Sequence, residues 1–389
     1  MDFQRQEYEA RLRKCQSEMK AAGIDVLLVS SGFNIRYFSG YITSLLRDSN
    51  FRLFTMAIFQ TDEPVLVVPN LEIGAAKRLA WFDDVRYWGG TGGFCDESTE
   101  ALPKLLAEKN LLKCTIGAEL DIGLRMYMTR REFDIMKTAL PECRFVNGTQ
   151  IIWKLRMVKS HAELACMREA SRLTLAGYHY MLERVHAGMT EKDVHKLVEI
   201  GMLQEGCEQD NFVVVTAGDM RYSSMNPWPT DYEIKKGDLI LVDWGGTYHG
   251  YWSDLTRVFA IGSISDYQRS LYDATNAMRE IATKAARPGV PVGEIDIAAT
   301  EFAKEQGLLD LMLHRSGHAI GLQIHEIPSI DASDTTIMQP GMCLTIEPAF
   351  YDFSKTGPSK GAFRIEDLVA ITEEGNEVYS PSGKELVII

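Results

Sequence analysis

Long apolar runs are missing from this 389-residue chain, and none approaches the roughly 18 residues that a membrane-spanning helix requires. The first residues, MDFQRQEYEARLRKCQ, are charged and helix-forming, which excludes reading them as a signal peptide. Cysteine is sparse: Cys15, Cys95, Cys114, Cys143, Cys166, Cys207 and Cys343 are scattered, odd in number and free of any C-x-x-C pair. That usage points to reduced thiols and a cytoplasmic protein. Positive charge is also in deficit, with 41 Lys and Arg against 54 Asp and Glu. A net charge of -13 argues against nucleic acid as a main partner, and part of the excess acid is available to bind metal.

What is present is an ordinary soluble balance, 46% hydrophobic and 24% charged, in a chain long enough for two or three domains. Residues 3–22 predict an amphipathic helix stopped by Gly23, followed by the strand candidates IDVLLVS, MAIFQ and PVLVVP and a helix over EIGAAKRLAW. This α/β pattern, expected to form a first domain over residues 1–152, gathers no cluster of catalytic residue types. A long helical stretch beginning WKLRMVKSHAEL opens a second domain, expected over residues 153–389.

The second domain repeats itself. AGMTEKDVHKLVEIGMLQEG, from Ala187, matches RPGVPVGEIDIAATEFAKEQG, from Arg287; KKGDLILVD, ending at Asp243, matches QPGMCLTIE, ending at Glu347. The offsets of 101 and 104 residues keep step, so a duplicated helix-plus-sheet unit with a pseudo-twofold axis is expected. Each half also carries a hairpin with two acids. VDWGGTYHGYWSDLTR, centred on Tyr248-His249, sets Asp243 opposite Asp254; IEPAFYDFSKTGPSKGAFRIED, centred on Thr356-Gly357, sets Glu347 opposite Glu366. Like charges facing each other repel, and four buried unpaired carboxylates cost many kcal/mol or stay protonated. Either hairpin alone reads equally as a solvated, charged face, but their repetition favours a shared site.

Between the hairpins lies LHRSGHAIGLQIHEIP, with His314, His318 and His325 in twelve positions and with Gly317 and Gly321 disfavouring a continuous helix. One imidazole added to four carboxylates makes five ligands, enough for two divalent ions about 3.5–4 Å apart. These motifs resemble the pita-bread metallohydrolases, the group of methionine aminopeptidase, aminopeptidase P, prolidase and the metal-free creatinase. The aminopeptidase P and prolidase branch matches over the whole chain, in the order of the five ligands and in their GH, EP and RIED contexts.

The resemblance implies an α/β fold with a creatinase-like N-terminal domain and a pita-bread catalytic domain. It implies metal ligation by Asp243, Asp254, His318, Glu347 and Glu366, with Asp254 and Glu366 bridging. His325 and His314 correspond to histidines that steady substrate and the tetrahedral intermediate, Glu347 is the candidate proton shuttle, and Arg364 supports the site. The implied reaction is hydrolysis of an amide bond, in an Xaa-Pro dipeptide or short peptide, by hydroxide bridging two metal ions. Carboxylate-rich ligation puts manganese first, ahead of cobalt, zinc and iron. A homodimer is implied, with the N-terminal domain capping a neighbour's pocket; Arg36, Tyr37 and Arg47, in NIRYFSGYITSLLR, read either as residues reaching into it or as surface and packing residues.

One position departs from the family pattern. Seventeen residues before the first ligand aspartate, where these peptidases carry histidine, the chain has Asn226, which bonds hydrogen but carries no proton at neutral pH. This motivates an alternative: a small-molecule C–N hydrolase of the creatinase or ectoine-hydrolase kind, or a metabolite lyase, on the same scaffold. A non-catalytic binding module is a third reading, opposed by the complete ligand set. His249 reads as a surface turn residue and His161, His179, His186 and His195 as solvated or capping. Trp244 and Trp252 either pack beside the sheet or narrow the pocket, and Glu326 either orients the His325 ring or forms a surface salt bridge.

Overall fold

The computed structural model describes residues 2–48, 52–89, 97–208, 211–219, 221–353, 361–381, 383 and 385–389. Cys95, the Thr356-Gly357 centre of the second hairpin and the side chain of Arg47 lie outside the described residues. The chain divides into two compact units, Met1–Arg156 and Met157–Ile389, a boundary a few residues beyond the one expected after residue 152. Among the described residues no helix is long and apolar enough to cross a membrane.

The first unit is a mixed α/β layer. Helix Arg5–Ala22 ends at Gly23, whose φ of 65° lets its N–H turn back to the Lys20 carbonyl, as the position of the glycine predicts. Six strands follow: β1 (Val26–Val29), β2 (Thr55–Phe59), β3 (Val65–Pro69), β4 (Val85–Trp88), β5 (Thr115–Ala118) and β6 (Arg144–Asn147), in sheet order β4-β3-β2-β1-β5-β6. The apolar runs of β1, β2 and β3 are buried along their whole length, as strands covered on both faces must be. Tyr37 is buried within this unit and Arg36 pairs with Asp2 at 2.9 Å.

The second unit carries the duplication. Helices His161–Leu182 and Glu191–Gln204 recur as Asp266–Ala285 and Gly293–Glu305. Three of the four begin in capping boxes, Ser160 with Glu163, Thr190 with Asp193 and Ser265 with Gln268, each closing two otherwise orphaned N–H groups. The strands are β7 (Asn211–Ala217), β8 (Leu239–Tyr248), β9 (Tyr251–Ala260), β10 (Gly317–Ala319), β11 (Glu326–Ile330), β12 (Cys343–Ile346), β13 (Ala349–Asp352), β14 (Gly361–Arg364), β15 (Asp367–Ile371), β16 (Asn376–Val378) and β17 (Val387–Ile388). They form sheets β17-β9-β8-β7, β13-β14 and β11-β10-β12-β15-β16.

The two hairpins differ in register. In the second, Ala349 opposes Arg364 and Ile346 opposes Asp367, so one continuous antiparallel register runs through both strand pairs and is interrupted at Glu347-Pro348 and Ile365-Glu366. The interruption is where the chain passes from one sheet to another, and it carries both acids. In the first hairpin the expected facing of Asp243 and Asp254 does not occur: Asp243 opposes Thr256 and Gly245 opposes Asp254. His249 and Gly250, both at positive φ (50° and 74°), form the two-residue turn, which shifts its centre one residue from the expected place.

Trp244 is wholly buried, stacks on Tyr178 at 5.1 Å and donates its indole N–H to the Thr174 carbonyl, so it belongs to the core; Trp252 is half-buried beside Phe212. Glu326 forms an ion pair with Lys159 at 3.1 Å, but not on the surface, since both side chains are 1% exposed. A buried charge left without its partner is costly. Lys159→Met is therefore expected to destabilise the protein by about 3–5 kcal/mol in urea denaturation, and Lys159→Met with Glu326→Leu to recover most of that loss. Equal destabilisation by the single and double variants would show that the pairing is not what matters.

Candidate metal centre

The candidate site forms where the interrupted ladder meets the first hairpin. Thr256 of β9 lies beside Asp243 on one side and bridges to Glu366 on the other, through an N–H of Glu366 donated to the Thr256 carbonyl. Asp254, two residues before Thr256 on the same strand, faces the same way. His318 enters from β10, opposite Thr345 of β12, and Glu347 follows β12 directly, with its N–H donated to the Ser316 carbonyl. Strand alternation and two sheet crossings thus deliver five side chains from three strands, β8, β9 and β10, and the two junctions that carry Glu347 and Glu366.

Distances tie these residues together. Ligand atoms of Asp254, His318 and Glu366, all buried, lie within 4.8 Å of one another, a group able to hold a metal ion. His318 Nε2 is 3.7 Å from Asp254 Oδ2 and 3.9 Å from Glu347 Oε1. Asp243 accepts a short hydrogen bond from Arg364, whose Nε is 3.8 Å from Glu347 Oε2. Arg364 Nε also donates to the Thr256 hydroxyl at 3.0 Å, and that hydroxyl donates to Glu366 at 2.7 Å. All five residues expected as ligands, with Arg364, therefore share one buried cluster.

The electrostatics of the cluster are unbalanced. Four carboxylates surround one guanidinium, and burial first, then mutual repulsion, pushes Asp254 well above the usual carboxylate range. Burial, then Glu347 and Asp243, does the same to Glu366, and burial raises Asp243 against the pull of Arg364. Glu347 is pushed up to about 7, chiefly by burial. Asp243 Oδ1 and Asp254 Oδ1 are buried without a hydrogen-bond partner. Buried acceptors without donors, in a group carrying excess negative charge, fit divalent cations. The imidazole fits as well. His318 Nδ1 lies 3.0 Å from the Ala319 carbonyl, which fixes the proton there and turns the Nε2 lone pair toward the carboxylates. Burial holds the His318 pKa down to about 3, so the ring is neutral as a ligand must be.

The other expected residues take varied places. His325 is exposed in part, with its ring centroid 4.1 Å from that of His318. His314 Nδ1 meets the Arg315 carbonyl at 2.6 Å, so Nε2 accepts from the Tyr351 hydroxyl at 2.9 Å, and burial lowers its pKa to about 4. Tyr351 also accepts from Arg364 at 3.3 Å. Tyr351 and Thr256 were missed in the sequence; the one signal for them was alternation, since each lies on the same strand face as an acid or its neighbour. Asn226 is exposed, in the segment between β7 and β8. His186 and His195 bond to the carbonyls of Ala187 and Val213, away from the cluster.

Carboxylates and a neutral histidine gathered in a cluster able to hold a cation fit a metal-dependent hydrolase. Residues 165–373 match metallopeptidase family M24 and residues 11–158 match the Creatinase/Prolidase N-terminal domain; the chain belongs to family M24 and is a metal-dependent peptidase. It is 32% identical to the Xaa-Pro dipeptidase of Pyrococcus furiosus over 377 residues, covering 97% of this chain and 99% of that one. Among solved structures, the Xaa-Pro dipeptidase from Bacillus anthracis superposes with a TM-score of 0.85 at 25% identity, covering 98% and 100% of the two chains. The X-Pro aminopeptidase from Thermotoga maritima superposes at 0.82 with 26% identity, covering 96% and 98%.

The raised carboxyl groups make a pH prediction for the metal-free protein. Between pH 4.5, the ordinary value for glutamate, and about 7, folded Glu347 keeps a proton that the unfolded chain releases. Stability is therefore lost as pH rises through that window, with Asp254 and Glu366 acting in the same direction. The thermal midpoint of chelator-treated protein should fall across this range, and Glu347→Gln should flatten the fall. A wild-type profile that rises there would contradict the reading.

Proposed function

We propose that the protein is an Xaa-Pro dipeptidase or aminopeptidase-like peptidase that uses two divalent ions, manganese foremost and cobalt, zinc or iron as alternatives. The observation that carries this reading is the convergence of Asp243, Asp254, His318, Glu347 and Glu366 on one buried cluster. In the proposed arrangement these five would hold the ions, with Asp254 and Glu366 among the donors. Four carboxylates and one imidazole form a hard donor set, which favours manganese. When bound, the ions supply Lewis acidity, lowering the pKa of water toward neutrality and polarising the scissile carbonyl.

The chain's own residues do the rest. Glu347 has the most exposed carboxylate of the cluster among those paired with His318 and Arg364, 16% against 7% for Asp254 and 12% for Asp243. It is the acid best placed to take a proton from the attacking water and pass it to the leaving nitrogen. His325, partly open to solvent beside His318, offers a hydrogen bond to the developing oxyanion. His314, neutral and bonded to Tyr351, orders the polar edge that receives the substrate's carboxylate or carbonyl, and Arg364 keeps Asp243 and Thr256 aligned. The names of the relatives support a short peptide with proline as substrate. The free thiols agree with a cytoplasmic site of action, and the family resemblance supports a homodimer.

With Mn²⁺ added, the protein should hydrolyse Xaa-Pro dipeptides, and Asp254→Asn should lose metal and lower kcat/KM by more than about 100-fold, beyond the usual cost of removing an outer-layer partner. No turnover over a broad panel of Xaa-Pro di- and tripeptides, with both metal positions filled, would sink the peptidase specificity. Full activity in the Asp254 variant would sink the ligand assignment.

Asn226 favours a second reading, a small-molecule C–N hydrolase on the same scaffold, because the substrate-handling residue differs while the ligand set is complete. The two readings separate on Asn226→His. A drifted peptidase should gain about tenfold or more in prolyl-peptide cleavage, the worth of one hydrogen bond to a charged transition state. An unchanged or lower rate favours the small-molecule substrate.

A further inference from the structure

A pair of thiols in the first unit lies outside everything the metal centre explains. β5 and β6 run parallel with Thr115 beside Arg144, so Cys114 and Cys143 occupy the preceding positions on neighbouring strands. Their sulfur atoms are 3.7 Å apart, in contact and unbonded. Adjacent strands are about 4.8 Å apart, within the roughly 4.4–6.8 Å that disulfides span between Cα atoms, so side-chain rotation alone can close the bond.

Access differs between the two thiols. Cys15, Cys114, Cys166, Cys207 and Cys343 are buried, whereas Cys143 is partly exposed; among the described cysteines it is the one a dissolved oxidant reaches. Burial, and then the contact with Cys143, pushes the Cys114 thiol up to about 12, so peroxide meets Cys143 first and Cys114 serves as the resolving thiol beside it. The Cys143 thiol donates to the Leu112 carbonyl at 3.2 Å, an interaction that orients its sulfur beside Cys114.

We propose that Cys114 and Cys143 are an oxidation site, converted by hydrogen peroxide into a disulfide that staples β5 to the edge strand β6. Peroxide first transfers an oxygen atom to the Cys143 sulfur, giving a sulfenic acid and one water. The Cys114 sulfur then attacks the sulfenic sulfur: the S–S bond forms, the S–O bond breaks, and the hydroxyl leaves with the Cys114 proton as a second water. Two thiols and one peroxide thus yield one disulfide and two waters. The bond joins positions 29 apart and encloses helix Arg130–Ala139, so it restrains the edge of the sheet in the unfolded as well as the folded chain.

The test treats the full-length protein with limiting hydrogen peroxide, blocks remaining thiols by alkylation and maps unreduced peptides by mass spectrometry. The expected product is a peptide carrying Cys114 linked to one carrying Cys143, two hydrogens lighter than the pair and released by dithiothreitol. A higher thermal midpoint should accompany it in wild type and be absent in Cys143→Ser. Cys143 recovered as sulfinic or sulfonic acid while Cys114 still alkylates overturns the proposal, as does linkage of either cysteine to another partner. Because the peptide map is made on wild-type protein, the result does not depend on the variant folding.

Discussion

Desolvation of four carboxylates around one guanidinium is the constraint on which the second unit turns. Taking a carboxylate out of water is affordable only with compensation, and here Arg364 answers for one charge, leaving three uncompensated. Each supporting feature reduces that imbalance or orients a group toward its remedy. Thr256 spends its hydroxyl on Glu366 while receiving Arg364. His318 holds its proton on the side away from the acids. Deeper still, Arg257 and Arg279 both grip buried Asp367, the residue after Glu366, so the start of β15 is fixed by two guanidiniums on one carboxylate.

The hairpins keep their acids out of a paired ladder position by different means, although the duplication makes them equivalent in outline. In the first, no acid stands opposite another. Thr256 faces Asp243, and Gly245 faces Asp254 at a point where an added Cβ would lie 2.4 Å from the Phe212 ring and 2.5 Å from the Ser253 carbonyl. In the second, Glu347 and Glu366 keep the opposed register but sit where the ladder is broken, outside either run of paired residues. One half separates its acids by register and the other by interruption.

Much of this could be read before the fold was known, because the features concerned are local. Gly23, the duplicated glycine turns and the spacing of the acids and histidines each express a short-range rule. The turn at His249-Gly250 is local too, but its centre was misplaced by one residue because symmetry about the acids was assumed where two positive φ angles decide. Long-range partners were not legible. Lys159 meets Glu326 from 167 residues away, and Glu119 accepts hydrogen bonds from Ser30, Ser31 and Asn34 across more than 80 residues of the first unit, pairings for which no periodicity gives notice. The role of Tyr351 was hidden for the same reason, since its hydroxyl matters only once His314 and Arg364 converge on it.

Asn226 can be separated from the buried cluster on physical grounds. Its segment is anchored at both ends by one wholly buried carboxylate: Glu191 accepts from the Ala217 and Thr230 N–H groups, the Thr230 hydroxyl and Arg221. Within the segment, the Tyr222 hydroxyl donates to the Leu239 carbonyl and accepts from the Leu239 N–H. Met225 packs against the apolar cluster that contains Tyr351. Residue 226 follows these anchors and is itself exposed, so its side chain can change without unsettling the fold around it. A mutation there alters a solvent-facing surface, whereas a mutation among Asp243, Asp254, His318, Glu347 and Glu366 alters the charge balance that organises the unit. The buried cluster and position 226 therefore have different stakes in stability, and the second can drift while the first is held.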